Sequence, residues 1–221
     1  MIKAVLFDLD GTLLDSAPDL VATLNKLRSD IGLAPMPVDG LRQYVSRGAL
    51  GLIGAGMPGC DEVTLSRWRE TFLRHYEENS FVHTRPFDGV ESLLSVLKSN
   101  GIPWGVVTNK LEYLTLPIIE KAGWSSSVSA VICGDSVNNS KPHPEPILAA
   151  CQLIGADPAE TLMVGDDQRD VEAGLRAGCL TALAMYGYAA RECSFDIIEN
   201  TPQINSPLEV LELLEPFGVA V

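Results

Sequence analysis

The chain predicts an α/β fold: a doubly wound parallel sheet with a small all-helical insertion behind its first strand. Three observations carry that expectation. Ala4-Val-Leu-Phe7 is a continuous apolar run, the pattern of a strand covered on both faces. From Gly89 onward, short apolar runs alternate with segments of helical spacing. Between Ser16 and Ser80 nothing reads as a strand.

Each element has its own reason. Ser16-Ala-Pro-Asp19 reads as a helix start, with Ser16 at the N-cap, Pro18 in the first turn and Asp19 at the positive end. Leu20, Leu24, Leu27 and Ile31 follow at helical spacing, and Gly32 ends the run. Pro35 and Pro37 mark a loop, and Asp39 opens a helix carrying Leu41, Tyr44 and Val45. Ser46-Arg47-Gly48 interrupts before the small-residue stretch Ala49 to Gly56, and Met57-Pro58-Gly59 is a loop. Asp61 then caps a longer helix with Val63, Leu65, Trp68, Phe72 and Tyr76 on its apolar side.

Beyond Thr84 the pattern changes. Helices are expected at Gly89 to Ser99, Leu111 to Ala122, Glu145 to Ile154, Arg169 to Ala177 and Leu208 to Leu214. Strands are expected at Pro103 to Thr108, Ala130 to Cys133, Thr161 to Gly165 and Leu180 to Ala184, with a short one near Asp196 to Ile198. The domain division is therefore residues 1–15 and 84–221 for the α/β core, and 16–83 for the insertion.

In such a sheet the site lies at the carboxyl ends of the strands. The first strand ends in Asp8 and Asp10, which alternation points the same way. The second ends in Thr108 and Asn109, and the third leads to Lys141. The fourth ends Gly165-Asp166-Asp167, with Asp170 one turn on. Close carboxylates repel and resist desolvation, so a bound cation makes sense of them, and oxygen donors suit Mg²⁺. The set reads as phosphoryl transfer through a covalent intermediate. One carboxylate attacks phosphorus, while a second protonates the leaving alcohol and then activates water. Thr108, the amide of Asn109 and Lys141 are placed to hold the phosphoryl oxygens. Taken singly, each piece has a plainer role: a strand-end threonine, a solvated lysine, an Asp-Asp helix cap. Joint placement at the ends of one sheet favours chemistry.

Composition narrows the partners. The 221 residues carry 16 Lys and Arg against 29 Asp and Glu, a net charge of −13. That disfavours nucleic acid and anionic membrane surfaces, and an anionic substrate needs a locally positive site. No apolar stretch is long enough to span a bilayer, and the N-terminus runs straight into a strand rather than a signal segment. The five cysteines, Cys60, Cys133, Cys151, Cys179 and Cys193, are scattered without metal-type spacing, which suits a reducing cytoplasm. Monomer and homodimer both remain open.

Asp8-Leu-Asp10-Gly-Thr12, Thr108, Lys141 and Gly165-Asp166-Asp167 resemble the four ordered motifs of the haloacid dehalogenase-like hydrolases. The match spans the chain and implies a Rossmann-like core. The insertion resembles the cap of that superfamily's phosphoglycolate phosphatase-like branch. The resemblance implies that Asp8 is the nucleophile and Asp10 the general acid/base. It implies Mg²⁺ held by Asp8, the Asp10 carbonyl and Asp166, with Asp167 helping or orienting Lys141. Asp170 either reaches a water on the metal or caps its helix. An acid at position 10 also points to a phosphate ester rather than a halide.

The cap is expected to choose the substrate. Arg47 beside Gly48 is the candidate for gripping the organic part, and an ordinary surface arginine fits as well. His83 and Arg85, where the chain returns to the core, are hinge or substrate residues if not simply structural. Val82-His-Thr-Arg85 with Phe87-Asp-Gly89, Trp104 to Lys110, and Ser140-Lys-Pro-His-Pro-Glu-Pro146 are most similar to N-acetylmuramic acid 6-phosphate phosphatases. Tyr186-Gly-Tyr188 occurs throughout the branch and does not discriminate. The resemblance thus implies a small phosphorylated metabolite as substrate, N-acetylmuramic acid 6-phosphate or 2-phosphoglycolate. A sugar-phosphate mutase and a catalytically silent binding protein are the other readings.

Overall fold

Strand β1 (Ala4–Phe7) is buried along its whole length and forms the middle of a parallel sheet. This computed structural model describes residues 2–57, 59 and 61–214, so Pro58 of the expected loop and Cys60 lie outside the described residues. The chain leaves the sheet through β2 (Leu14–Asp15), passes α1 (Ala17–Asp30), α2 (Arg42–Val45), α3 (Gly48–Gly56) and α4 (Glu62–Asn79), and returns through β3 (Arg85–Pro86). Then follow α5 (Val90–Ser99), β4 (Trp104–Val107), α6 (Glu112–Lys121), β5 (Ala130–Ile132), α7 (Glu145–Ile154) and β6 (Thr161–Gly165). The chain closes with α8 (Gln168–Ala177), β7 (Leu180–Ala184), α9 (Phe195–Asn200), β8 (Gln203–Ile204) and α10 (Glu209–Leu214).

The sheet order is β5-β4-β1-β6-β7-β8. Winding runs outward from β1 to β5 and then reverses, starting again at β6 on the other side of β1. Ligands bind in the crevice beyond the carboxyl ends where such a sheet reverses. Register is pinned by side chains that leave no alternative. Val5 lies opposite Trp104 and Leu162, and all three are buried. Phe7 and Trp124 each meet the Trp104 ring edge to face, at 6.4 and 5.8 Å.

Most expected elements stand where the pattern put them, with one clear correction at the end. The strand expected near Asp196 to Ile198 is helix α9, and the last strand is β8 at Gln203–Ile204. The adjacent Ile197 and Ile198 read as a short strand, but both pack sideways against Val171, Leu183, Ala190 and Cys193. The chain straightens only after Thr201, where the Pro202 and Ile204 carbonyls accept from Leu183 and Met185. The helix expected from Asp39 is also shorter, since α2 begins at Arg42 with Leu41 at its N-cap.

By its contacts the chain divides into two units, residues 1–14 with 86–221 and Asp15–Arg85. In the helical unit, Asp61 caps α4 by accepting from the Thr64 amide at 2.8 Å. The apolar stripe of α4 closes only at Phe72 and Tyr76, whereas Val63 is 70% exposed. Gly56 is needed where α3 crosses α1, because a Cβ there would stand 2.5 Å from Leu24 Cδ2. Ser16 occupies the N-cap of α1, and its side chain makes no capping bond to the helix.

Asp19 does more than sit at a positive helix end. Its buried carboxylate accepts from the amides of Val82, His83 and Thr84, at 2.9, 2.8 and 3.0 Å, and from the Thr84 hydroxyl at 2.7 Å. These bonds hold the segment just after Phe81, whose φ of +68° strains a residue with a side chain. Asp19→Ala would leave these donors unpaired at once. We expect it to cost about 3 kcal/mol or more, read as a lowered urea midpoint and faster proteolysis near Phe81.

Candidate active site

The central strand hands its end to the chemistry. Asp8 follows Phe7, and its amide still bonds the Val164 carbonyl at 2.9 Å, so the strand geometry fixes where its carboxylate starts. Lys141 reaches Asp8 from the loop after β5. Its ammonium donates to Asp8 Oδ1 at 2.7 Å and the Val107 carbonyl at 2.6 Å, and pairs with Asp170 Oδ1 at 2.7 Å. Three donors meet three acceptors, and the side chain is 2% exposed. Burial works against the charge, but Asp170 and Asp8 outweigh it and hold Lys141 well above its ordinary pKa. It stays cationic. Its backbone is clamped as well: the Asn109 side chain donates to the Lys141 carbonyl and accepts from its amide, both at 3.0 Å.

The partner of Lys141 among the later aspartates is thus Asp170, not Asp167. Asp167 starts α8 as its N-cap and is taken up by Arg169, accepting from its amide at 2.9 Å and its guanidinium at 2.8 Å. Burial alone would raise its pKa, but these Arg169 bonds bring it below the usual value. Asp170 turns back onto the Asp167 amide at 3.0 Å, so capping its helix and pairing Lys141 are done by one carboxylate. Gly165 leaves room for this, since a Cβ there would lie 2.2 Å from Asp170 Oδ2.

Asp166 is fully buried at the end of β6. It accepts from the Thr12 hydroxyl at 3.2 Å and from the amides of Tyr188 and Ala189, at 2.7 and 3.1 Å. Gly11, at φ +91°, passes so close that a Cβ would stand 2.5 Å from Asp166 Oδ2. One carboxylate oxygen each from Asp8, Asp166 and Asp170 lies within 4.8 Å of the others. Burial first, then repulsion from Asp8 and Asp170, raises Asp166 well above its ordinary value. A divalent cation would relieve that repulsion, and an all-oxygen set of this kind fits Mg²⁺.

A pH effect follows from the sign of that shift. A native pKa raised above the ordinary 3.8 contributes stability that is full at low pH and is lost as pH rises through the native value. The metal-free protein should therefore lose thermal stability as pH rises through the raised native value of Asp166, and Mg²⁺ should raise the melting temperature most on the alkaline side of it. Melting curves with Mg²⁺ and with EDTA as a function of pH measure it. A metal-induced increment that did not change with pH would remove Asp166 from the account.

Asp10 has a different partner. Its carboxylate pairs with the ammonium of Lys110 at 2.9 and 3.0 Å, and Lys110 is 8% exposed. Lys110 was not among the residues singled out by sequence, although alternation from Thr108 was the available signal. Thr108 is buried at the end of β4, where its hydroxyl accepts from the Lys110 amide at 3.2 Å. The core unit thus brings together Asp8, Lys141, Asp166 and Asp170, with Asn109 holding Lys141 and with Thr108 and Asp10 joined to Lys110.

Arg47, Gly48, His83 and Arg85 belong to the helical unit. Arg47 lies over the Tyr44 ring, 5.4 Å from its centre. Arg85 donates to the carbonyls of Val82 and Thr84 at 3.1 and 2.6 Å, a local structural use. His83 contributes its amide to Asp19.

Known proteins resemble the chain along most of its length. It is 39% identical over 220 residues to the N-acetylmuramic acid 6-phosphate phosphatase of Pseudomonas aeruginosa, covering 97% of this chain and 95% of that protein. It is 42% identical over 190 residues to the phosphoglycolate phosphatase of Xylella fastidiosa, covering 86% and 83%. A solved structure described as a predicted phosphoglycolate phosphatase from Haemophilus somnus matches with a TM-score of 0.83 at 28% identity, over 96% of this chain and 97% of that one. Residues 5–184 match the family model named haloacid dehalogenase-like hydrolase. With that match across most of its length, the chain belongs to the haloacid dehalogenase-like hydrolase family.

Proposed function

We propose that this phosphatase of the haloacid dehalogenase-like family is a Mg²⁺-dependent phosphomonoester hydrolase that works through an aspartyl-phosphate on Asp8. One observation carries the reading: the buried ammonium of Lys141 touches a carboxylate at the end of the central strand and the acidic cluster beside it. A carboxylate oxygen of Asp8 attacks phosphorus as the bond to the ester oxygen breaks, and Asp10, protonated and released from Lys110, gives that oxygen its proton. Water then attacks the aspartyl-phosphate while Asp10 takes its proton, releasing phosphate and restoring Asp8. The Thr108 hydroxyl and the Asn109 amide hold the phosphoryl oxygens as charge builds, with the positive charge of Lys141 beside them. When bound, Mg²⁺ supplies further positive charge to those oxygens, held by Asp8, the Asp10 carbonyl and Asp166.

The substrate is a small phosphorylated metabolite, and N-acetylmuramic acid 6-phosphate is the first choice. The Pseudomonas aeruginosa relative named for that substrate aligns over 97% of this chain, helical unit included. The second choice is 2-phosphoglycolate, favoured by the higher identity, 42%, to a phosphoglycolate phosphatase over a shorter span. We assign the organic part of the substrate to the helical unit as cap, through Arg47 beside Gly48. Free Cys133, Cys151, Cys179 and Cys193 support a reducing compartment, hence the cytoplasm. Among the described residues no helix is long and apolar enough to cross a membrane.

Phosphate release with Mg²⁺, and with EDTA as control, tests the reading. The panel is N-acetylmuramic acid 6-phosphate, 2-phosphoglycolate, glucosamine 6-phosphate and β-glucose 1-phosphate. Preference for the muramic sugar supports the first choice, and preference for phosphoglycolate replaces it with the second. Interconversion of glucose phosphates without net phosphate release would make the protein a mutase. Release that persisted undiminished in EDTA would remove the metal from the mechanism.

A further inference from the structure

The Tyr186-Gly187-Tyr188 segment follows β7 and supplies none of the groups given a chemical step above. Its contacts nevertheless converge on one carboxylate. The amides of Tyr188 and Ala189 both donate to Asp166 Oδ2, at 2.7 and 3.1 Å. Gly187 makes that approach possible: a Cβ there would stand 2.2 Å from Asp166 Cβ and 2.5 Å from the Gly11 carbonyl oxygen. From the other side, the Thr12 hydroxyl donates to Asp166 Oδ1 at 3.2 Å, and the Tyr186 hydroxyl donates to the Thr12 carbonyl at 3.1 Å. Burial, with Asp166 adding to it, keeps the Tyr186 phenol protonated and therefore a donor. Phe87 packs against the Tyr186 ring at 5.2 Å and anchors its own amide on the Leu13 carbonyl at 3.0 Å.

We propose that Tyr186 and Gly187 are positioning residues for the metal site, setting the orientation of Asp166 from the loop after β7. The proposal rests on the reading of Asp166 as a metal ligand. The physical reason is that a carboxylate at a strand end can rotate, and three fixed donors from two loops leave it one orientation. In that orientation one of its oxygens lies within 4.8 Å of an oxygen of Asp8 and of Asp170. Tyr186 acts one step back, by holding the Gly11-Thr12 turn that carries the third donor. Groups that orient a ligand in this way typically change metal affinity by about 10- to 100-fold when removed.

The test is Mg²⁺ binding to the substrate-free protein by titration calorimetry, with Mn²⁺ electron paramagnetic resonance as a second probe. Tyr186→Phe removes only the hydroxyl. It should weaken Mg²⁺ binding by about tenfold, leave the melting temperature of the metal-free protein unchanged, and leave kcat at saturating Mg²⁺ close to that of the parent. Gly187→Ala should weaken binding further and alter the Mn²⁺ spectrum. Unchanged Mg²⁺ affinity in Tyr186→Phe, or a loss in both variants that only tracks a fall in metal-free stability, would overturn the proposal. Asp166→Asn separates the two levels of inference. If it binds Mg²⁺ like the parent, the metal reading itself fails and takes the proposal with it. If it loses binding while Tyr186→Phe does not, only the positioning role fails.

Discussion

Asp8→Asn should fold normally and turn over no substrate, with kcat reduced on the order of 10⁴-fold or more, as for loss of a covalent nucleophile. The amide has nearly the shape of the carboxylate and can still accept from Lys141 Nζ, which lies 2.7 Å from Asp8 Oδ1 in the parent. What it lacks is a negative oxygen able to attack phosphorus. Stability should not suffer in the metal-free protein, because the change removes one of three mutually repelling carboxylates. Two measurements check this together. Phosphate release reports the loss, and acid-quenched protein exposed to radiolabelled substrate reports whether label is trapped on the chain. Near-native turnover, or label retained on the Asp8→Asn variant, would dismiss Asp8 as the nucleophile.

Lys141→Met should damage both the fold and the chemistry. Methionine replaces most of the apolar stem but removes the ammonium that meets Asp8, Asp170 and the Val107 carbonyl. Removing one member of a buried charge group typically costs about 3–5 kcal/mol, since the remaining charges lose their partner. On the proposed mechanism, loss of that positive charge beside the phosphoryl group adds a fall of about 10²- to 10³-fold in kcat. Urea unfolding in EDTA would measure the first effect, and kcat at saturating Mg²⁺ the second. The stability loss should shrink at lower pH, where Asp166 and Asp170, both raised by burial, take up protons. A variant as stable as the parent at neutral pH would mean that Lys141 is not the charge on which Asp8 and Asp170 depend.

The two variants divide the work of a site whose residues are far apart in sequence. Asp8 and Lys141 are separated by 133 positions, Thr12 and Asp166 by 154, and Asp10 and Lys110 by 100. The sheet order joins them, because β1 lies between β4 and β6 and the chain reverses there.

Much of this was legible before any tertiary information. Strand β1, helix α7 and strands β6 and β7 begin and end where pattern placed them, since an apolar run or a helical period is a local property. The gathering of Asp8, Thr108, Lys141 and Asp166 at strand ends followed from one topological rule. Pairing was not legible. Asp167 and Asp170 are both acids in the first turn around α8, and only the packed cap shows that Asp170 turns to Lys141 while Asp167 takes Arg169. Asp19 read as a helix-end charge, and its bonds to Val82, His83 and Thr84 depend on where the chain returns. The amides of Tyr188 and Ala189 carry no side-chain signature at all. Periodicity is written along the chain, so sequence alone determined the elements and the end of the sheet that carries the site. The direction of each buried polar group is set by the partners that satisfy it across space, and only the tertiary structure decided those.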